Sequence, residues 1–233
     1  MQVVLLSFTP DPEQTVAAAA RLCYSDAGAG ELREQMGRER TVSFIKKLLS
    51  MGHESPLEHA NFTFGMEGVS RTLTHQLVRH RIASYSQKSQ RYVDESSFEY
   101  IIPPSVKKEE EAYHLYVQQM EKIREAYAAL AEKVPQEDAR YLLPNACETK
   151  LVVTMNARSL RNFFRLRMCR RAQWEIRNLA EKMFEEVERV APMLLHKAGP
   201  PCEAENYCPE GRYSCGKLLH KREAETTRGI CEE

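Results

Sequence analysis

The sequence predicts an α+β fold, an antiparallel or mixed sheet packed with long helices. Three observations predict it. Only a few short stretches pattern as strands, several longer ones repeat apolar residues at three- and four-residue steps, and the two kinds do not alternate as in a βαβ chain. With 233 residues, 42% hydrophobic and 28% charged, there is chain enough for one ordinary core. Residues 1–198 are expected to form that domain, and the Gly/Pro/Cys-rich stretch 199–233 a tail.

Taken in order, Val3 to Phe8 reads as a buried strand, and Asp11 followed by Pro12 supplies an N-cap and first-turn proline for a helix to Tyr24. Thr41 to Met51 carries Val42, Ile45, Leu48 and Leu49 on one helical face, with Gly52 placed to stop it. Asn61 to Glu67 alternates, Phe62, Phe64 and Met66 facing one way, as a half-buried strand does. Ser70 caps a helix running to about Arg81, and Ile82 to Pro104 shows no clear period. Tyr113, Tyr116, Met120, Ile123, Tyr127 and Leu130 then mark a long helix that Pro135 ends. Lys150 to Met155 is strand-like, and one helical pattern runs from Ser159 to about Val190.

Charge narrows the function. Thirty-three Lys plus Arg balance 33 Asp plus Glu, which argues against a general binder of nucleic acid or anionic membrane and makes any anion site local. The opening MQVVLLSFTPDP shows no basic leader, and no apolar run approaches a membrane span, so a cytoplasmic protein is expected. Seven cysteines then read as reduced thiols.

Two segments concentrate cations. RHRIASYSQKSQRY, Arg79 to Tyr92, runs three cations from a helix end into hydroxyls and amides, which fits either a solvated, dipole-matched helix end or an anion site. Between Ala157 and Arg171 lie Arg158, Arg161, Arg165, Arg167, Arg170 and Arg171 with no intervening acid. They point in nearly every direction around a helix, so some need partners elsewhere, and phosphates or the carboxylates of another subunit match guanidinium forks.

GHESPLEH, Gly52 to His59, has the form of a capping box, Ser55 with Glu58, and Pro56 at the first helical position. His53, His59, His75 and His80 could alternatively ligate metal, but no metalloprotease-type His pair is present. Neither a Walker loop nor a GxGxxG turn occurs, so a nucleotide cofactor must be held otherwise. Cys23 and Cys147 read as structural. Cys202, Cys208 and Cys215 are not spaced as a zinc knuckle and leave a fourth ligand to His220 or Cys231, so no metal is expected.

Arg79-His80-Arg81 followed, seven residues on, by Ser89 resembles the signature of the flavin-dependent thymidylate synthases. GHESPLEHANFTF, Ala-Arg-x-x-Leu-Pro at Ala139 to Pro144, and TMNARSLRNFFRLR with the later AQWEI agree, so the resemblance spans about Ser7 to Leu195. It implies a homotetramer of α+β subunits sharing their active sites. It also implies FAD as cofactor, dUMP converted to dTMP, methylenetetrahydrofolate as one-carbon donor and NADPH as reductant. His53, Ser55, Arg79, His80, Arg81, Gln87, Asn156, Arg158 and Asn162 match flavin positions. Gln76, Arg79, Gln87, Ser89, Gln90, Arg91, Arg140 and Arg167 match dUMP positions, with Arg167 the candidate that activates uracil.

Two departures stand out: Gln87 where many members carry Glu, and Arg171 where a flavin-side His is frequent. Two rivals remain. A cysteine-nucleophile synthase would use Cys169, whose flanking arginines favour a thiolate but which has no neighbouring histidine base. An RNA-binding module would use the arginine helix with Tyr85, Tyr92 and Phe98 as stacking groups.

Overall fold

The computed structural model describes residues 1–218, so His220 and Cys231 lie outside the described residues. Strands β1 (Gln2–Phe8), β2 (Asn61–Ser70), β3 (Ala83–Gln87) and β4 (Glu148–Asn156) form one small antiparallel sheet in the order β1-β2-β4-β3. The helices of the first half are α1 (Pro12–Leu22), α2 (Ala29–Gln35), α3 (Arg38–Ser50) and α4 (Arg71–Leu77). They are followed by α5 (Pro104–Lys108), α6 (Glu110–Ala131), α7 (Gln136–Ala139), α8 (Ala157–Arg167), α9 (Trp174–Val190) and α10 (Pro201–Ala204). The coarse expectation of an α+β chain holds. No described helix is long and apolar enough to cross a membrane.

The chain divides into two compact units, one of Met1–Val4, Gly65–Arg79 and Ser84–Val153, the other of Leu5–Phe64, His80–Ala83 and Thr154 onward. In the first unit, Met66, Val69, Leu73, Leu77, Phe98, Met120, Tyr127 and Cys147 are buried. Gly68 has φ +67, and a Cβ there would stand 3.0 Å from the Met1 nitrogen, so only glycine lets the chain start lie against β2. In the second unit the core includes Val16, Ile45, Leu57, Phe62, Phe64, Phe163, Phe164, Ile176 and Met183. Phe62, Phe64 and Met66 are buried as the alternation of β2 requires.

Several expectations are corrected. The first strand is exposed: Val4, Leu6 and Phe8, alternate residues on one face of edge strand β1, stand open to solvent. Asp11 does not cap α1, because its φ of 45° turns it left-handed and its carboxylate pairs with Arg33 at 3.1 Å. Ser70 does cap, its Oγ accepting from the Leu73 amide at 3.0 Å, but α4 stops at Leu77 and not near Arg81. β3 falls inside the stretch without period, since ASYSQ pairs through its backbone and carries few apolar residues. The single pattern from Ser159 to Val190 is two helices, for the Gln173 side chain caps a new start by accepting from the Glu175 and Ile176 amides. Cys23 is exposed past the end of α1 and not packed with Val16 and Ala20.

Candidate functional site

In the second unit, α8 carries most of the candidate chemistry. The Asn156 side chain accepts from the Ser159 amide at 2.8 Å and so starts the helix. Ala157, Leu160, Phe163 and Phe164 face the core, which forces the intervening arginines outward. Their partners are carboxylates of this same chain. Arg158 pairs with Glu58, Arg161 with Glu54 at 3.4 Å, and Arg165 with Glu205. Arg161 also donates to the Leu194 and His196 carbonyls, both at 2.9 Å.

Glu58 is therefore an ion-pair partner and not the far side of a capping box. Ser55–His59 is a short 3-10 turn preceded by Glu54, and Ser55 makes no capping bond. The pairs Arg158–Glu58 and Arg161–Glu54, with Ala157 N–H donating to the Ala60 carbonyl at 2.8 Å, tie the segment that bears His53 and Ser55 to the start of α8. His53 and Ser55 are exposed, as are Arg158 and Asn162 on α8.

Arg167 ends α8, and its Nε donates to His80 Nε2 at 2.9 Å. The His80 ring meets Phe163 edge-on, 5.0 Å between centroids at 89°. Burial first, and then the Arg167 charge, hold the His80 pKa down at about 4. The ring is thus neutral at pH 7. An accepting Nε2 assigns its proton to Nδ1, leaving that edge a donor. Because the folded pKa lies below the ordinary 6.5, the stabilisation is full above about pH 6.5 and is lost as pH falls toward about 4. Thermal melts from pH 7 to 4 should show a falling midpoint, and His80→Gln should flatten that slope; an unchanged slope would remove His80 as its cause.

Beyond His80, Arg81 is exposed and Ile82 adopts φ 64° with 73% of its surface open. A β-branched residue in the left-handed region costs roughly 1–3 kcal/mol and persists only where its surroundings hold it there. Arg79 is likewise exposed, and among the described residues neither Arg79 nor Arg81 has a carboxylate partner.

The first unit gathers most of the dUMP-matched positions. The Gln87 amide donates to the Thr74 and Thr149 hydroxyls at 3.2 and 3.3 Å, which fixes its side chain. Ser89 Oγ accepts from the Arg91 amide at 3.2 Å. Arg91 Nε and Nη2 both reach Glu137 Oε2, at 3.1 and 2.9 Å, and Arg140 Nε donates to the Glu137 carbonyl at 3.1 Å. Arg91 and Arg140 are thereby brought together at Glu137, with Ser89 bonded to the Arg91 backbone. Gln76 is half-buried on α4. Gln90 points inward and donates to Cys147 Sγ at 3.5 Å.

The thiols divide by environment. Burial, with Glu95 adding to it, pushes the Cys147 pKa up to about 11, so it is a structural residue and no nucleophile at neutral pH. Cys169 is half-buried just past α8. Among the described residues no group of three His, Cys, Asp or Glu side chains could hold a metal. Phe98 is 2% exposed, which removes it as a stacking surface for RNA.

A family model described as thymidylate synthase complementing protein matches residues 4–193. A flavin-dependent thymidylate synthase of Clostridium tetani is 52% identical, covering 95% of this chain and 96% of its own. Those of Geobacter sulfurreducens and Pyrococcus abyssi are 53% and 45% identical, covering 93% and 90% of this chain and 94% and 90% of their own. With both the Arg167–His80 contact and the motif segments inside the matched span, the chain belongs to the flavin-dependent thymidylate synthase family.

Proposed function

We propose that this chain makes dTMP by reductive methylation of dUMP, with methylenetetrahydrofolate as one-carbon donor, NADPH as reductant and no cysteine nucleophile. Membership of the family makes it an enzyme that uses FAD. The observation that carries the residue assignment is the hydrogen bond from Arg167 Nε to a neutral His80.

The residues fit a flavin dinucleotide. A diphosphate needs fixed cations not already neutralised, and Arg79 and Arg81 are exposed without a carboxylate partner among the described residues. Asn162 adds an exposed amide on α8. Arg158 reaches an anion only by sharing Glu58 or giving it up, while Asn156 contributes mainly by starting α8. When bound, FAD supplies the reducing equivalents that turn the transferred methylene into methyl.

Arg91, by sharing Glu137 or giving it up, and Arg140 hold the nucleotide phosphate, Ser89 and Gln87 position ribose and base, and Gln76 and Arg79 complete the nucleotide side, while the buried Gln90 is turned to Cys147. Carbon 5 of uracil is a weak nucleophile, and it attacks readily only from a polarised, enolate-like ring whose negative charge passes into the new bond. Arg167 meets that charge with fixed N–H donors, which lowers the barrier without a proton-transferring acid. His80 accepts from Nε and so aims the two terminal nitrogens. The pair is a neutral acceptor against a permanent cation, so the guanidinium keeps its full charge. His80→Phe keeps a ring against Phe163 but loses the acceptor, and should lower kcat at least tenfold with KM for dUMP within about threefold, about 1.4 kcal/mol of barrier or more. His80→Gln, whose Oε1 replaces Nε2, should recover most of the loss; equal loss in both would sink the aiming role.

A homotetramer with sites drawn from more than one subunit is part of this reading. It is supported by Val4, Leu6 and Phe8 standing exposed along edge strand β1, the kind of apolar surface a subunit covers. Sedimentation equilibrium should give four subunits, and a fully active monomer would contradict it. A cytoplasmic location follows from the same reading, since the substrates are cytoplasmic nucleotides and folates. The overall test is dTMP formation by the purified, FAD-loaded protein from dUMP, methylenetetrahydrofolate and NADPH. No product from a folded, flavin-binding sample would overturn it.

A further inference from the structure

We propose that the segment from Gly199 to Lys217, beyond the residues the family model matches, is a wall of the nucleotide pocket on which Arg167 acts. One cavity of about 300 Å³ carries Arg165, Arg167 and Arg171 on one side and Cys202, Cys208, Pro209 and Glu210 of this segment on the other. Its volume is that of a small-ligand site. Arg165 already answers Glu205, so Arg167 and Arg171, against the single carboxylate of Glu210, are the cations that suit an anionic ligand, and the proline and thiol edge opposite suits the flat apolar face of a base. The wall is held in place independently of any ligand. Arg165 pairs with Glu205, Lys217 with Glu203, and Arg161 grips the Leu194 and His196 carbonyls just before the segment begins. Its position is therefore fixed by the same arginine helix that presents Arg167. The inference rests on Arg167 acting on a uracil nucleotide, and names the segment that closes the other side of that ligand.

The chain's own thiols report on it. Cys202 and Cys208 line the cavity, Cys215 belongs to the same segment but not to the cavity lining, and Cys23 is exposed just past the end of α1. The FAD-loaded protein is treated with iodoacetamide with and without saturating dUMP, binding being followed in the same samples by equilibrium dialysis, and each cysteine is quantified by mass spectrometry. Alkylation of Cys202 and Cys208 should slow at least threefold with dUMP, while Cys23 and Cys215 keep their rates. Bound dUMP with no protection of Cys202 and Cys208 overturns the wall and leaves the assigned reaction standing. Equal slowing of Cys215 overturns it too, because it means general tightening of the segment. Failure of dUMP to bind overturns both the wall and the reaction. Cys202→Phe, which puts a ring into the cavity, should raise KM for dUMP about tenfold with flavin absorbance unchanged; an unaltered KM counts against the wall.

Discussion

Arg167→Lys should lower dUMP turnover by about 10²–10³-fold, the scale of losing a donor aimed at charge on the reacting ring. Lysine keeps the positive charge, so attraction for the nucleotide survives. What it loses is geometry. An ammonium has no Nε–H to bridge to His80 Nε2 at 2.9 Å, and no second nitrogen held in the same plane to meet the ring. The loss should therefore fall on kcat, with FAD affinity and KM for dUMP within about threefold. Steady-state kinetics beside a flavin titration separates these outcomes. A rise in KM with kcat intact would make Arg167 a binding residue only.

Phe163→Ala should cost about 3–5 kcal/mol of stability, the ordinary loss for emptying a buried aromatic site. Phe163 is fully buried and meets Phe164 at 5.9 Å, which in turn meets Phe184 edge-on at 5.3 Å. It is also the ring that His80 rests on. For a chain of this size the thermal midpoint should fall by roughly 10 °C. Turnover measured well below that midpoint should drop as well, because His80 loses the surface that fixes its acceptor. A stable, fully active variant would mean that the cavity collapses and that His80 is held by other contacts.

The sequence made α8 legible for a physical reason. Apolar residues at helical steps fix which side faces inward, and six arginines without a nearby acid must find partners off the helix. It could not say which partners, because Glu54, Glu58 and Glu205 come from distant segments. Glu58 was visible in GHESPLEH, but a serine three residues before a glutamate reads equally as a cap. β3 escaped because a strand of serines, tyrosine and glutamine carries its pairing in the backbone and gives no apolar alternation. The break between α8 and α9 was hidden because Met168 to Gln173 carries no glycine or proline to signal a stop. Edge exposure of β1 is a matter of neighbours, which composition does not encode. The candidate residues separate between the units: the motif order on the chain places Arg91 and Arg140 at Glu137, with Ser89 bonded to the Arg91 backbone, in one, and His80 and Arg167 in the other.

Cysteine chemistry is the rival that the residues themselves can decide. Of the three thiols within the matched residues 4–193, Cys147 is buried with a raised pKa and Cys23 lies exposed at the end of α1, so Cys169 is the one to test. The most direct measurement is single-turnover conversion of dUMP with methylenetetrahydrofolate and pre-reduced flavin, run side by side on the parent, Cys169→Ser and Arg167→Lys at equal bound FAD and dUMP. Cys169→Ser should form dTMP within about tenfold of the parent rate, and Arg167→Lys about a hundredfold or more below it. Abolished product in folded, flavin-loaded Cys169→Ser, with Arg167→Lys at the parent rate, would contradict the account.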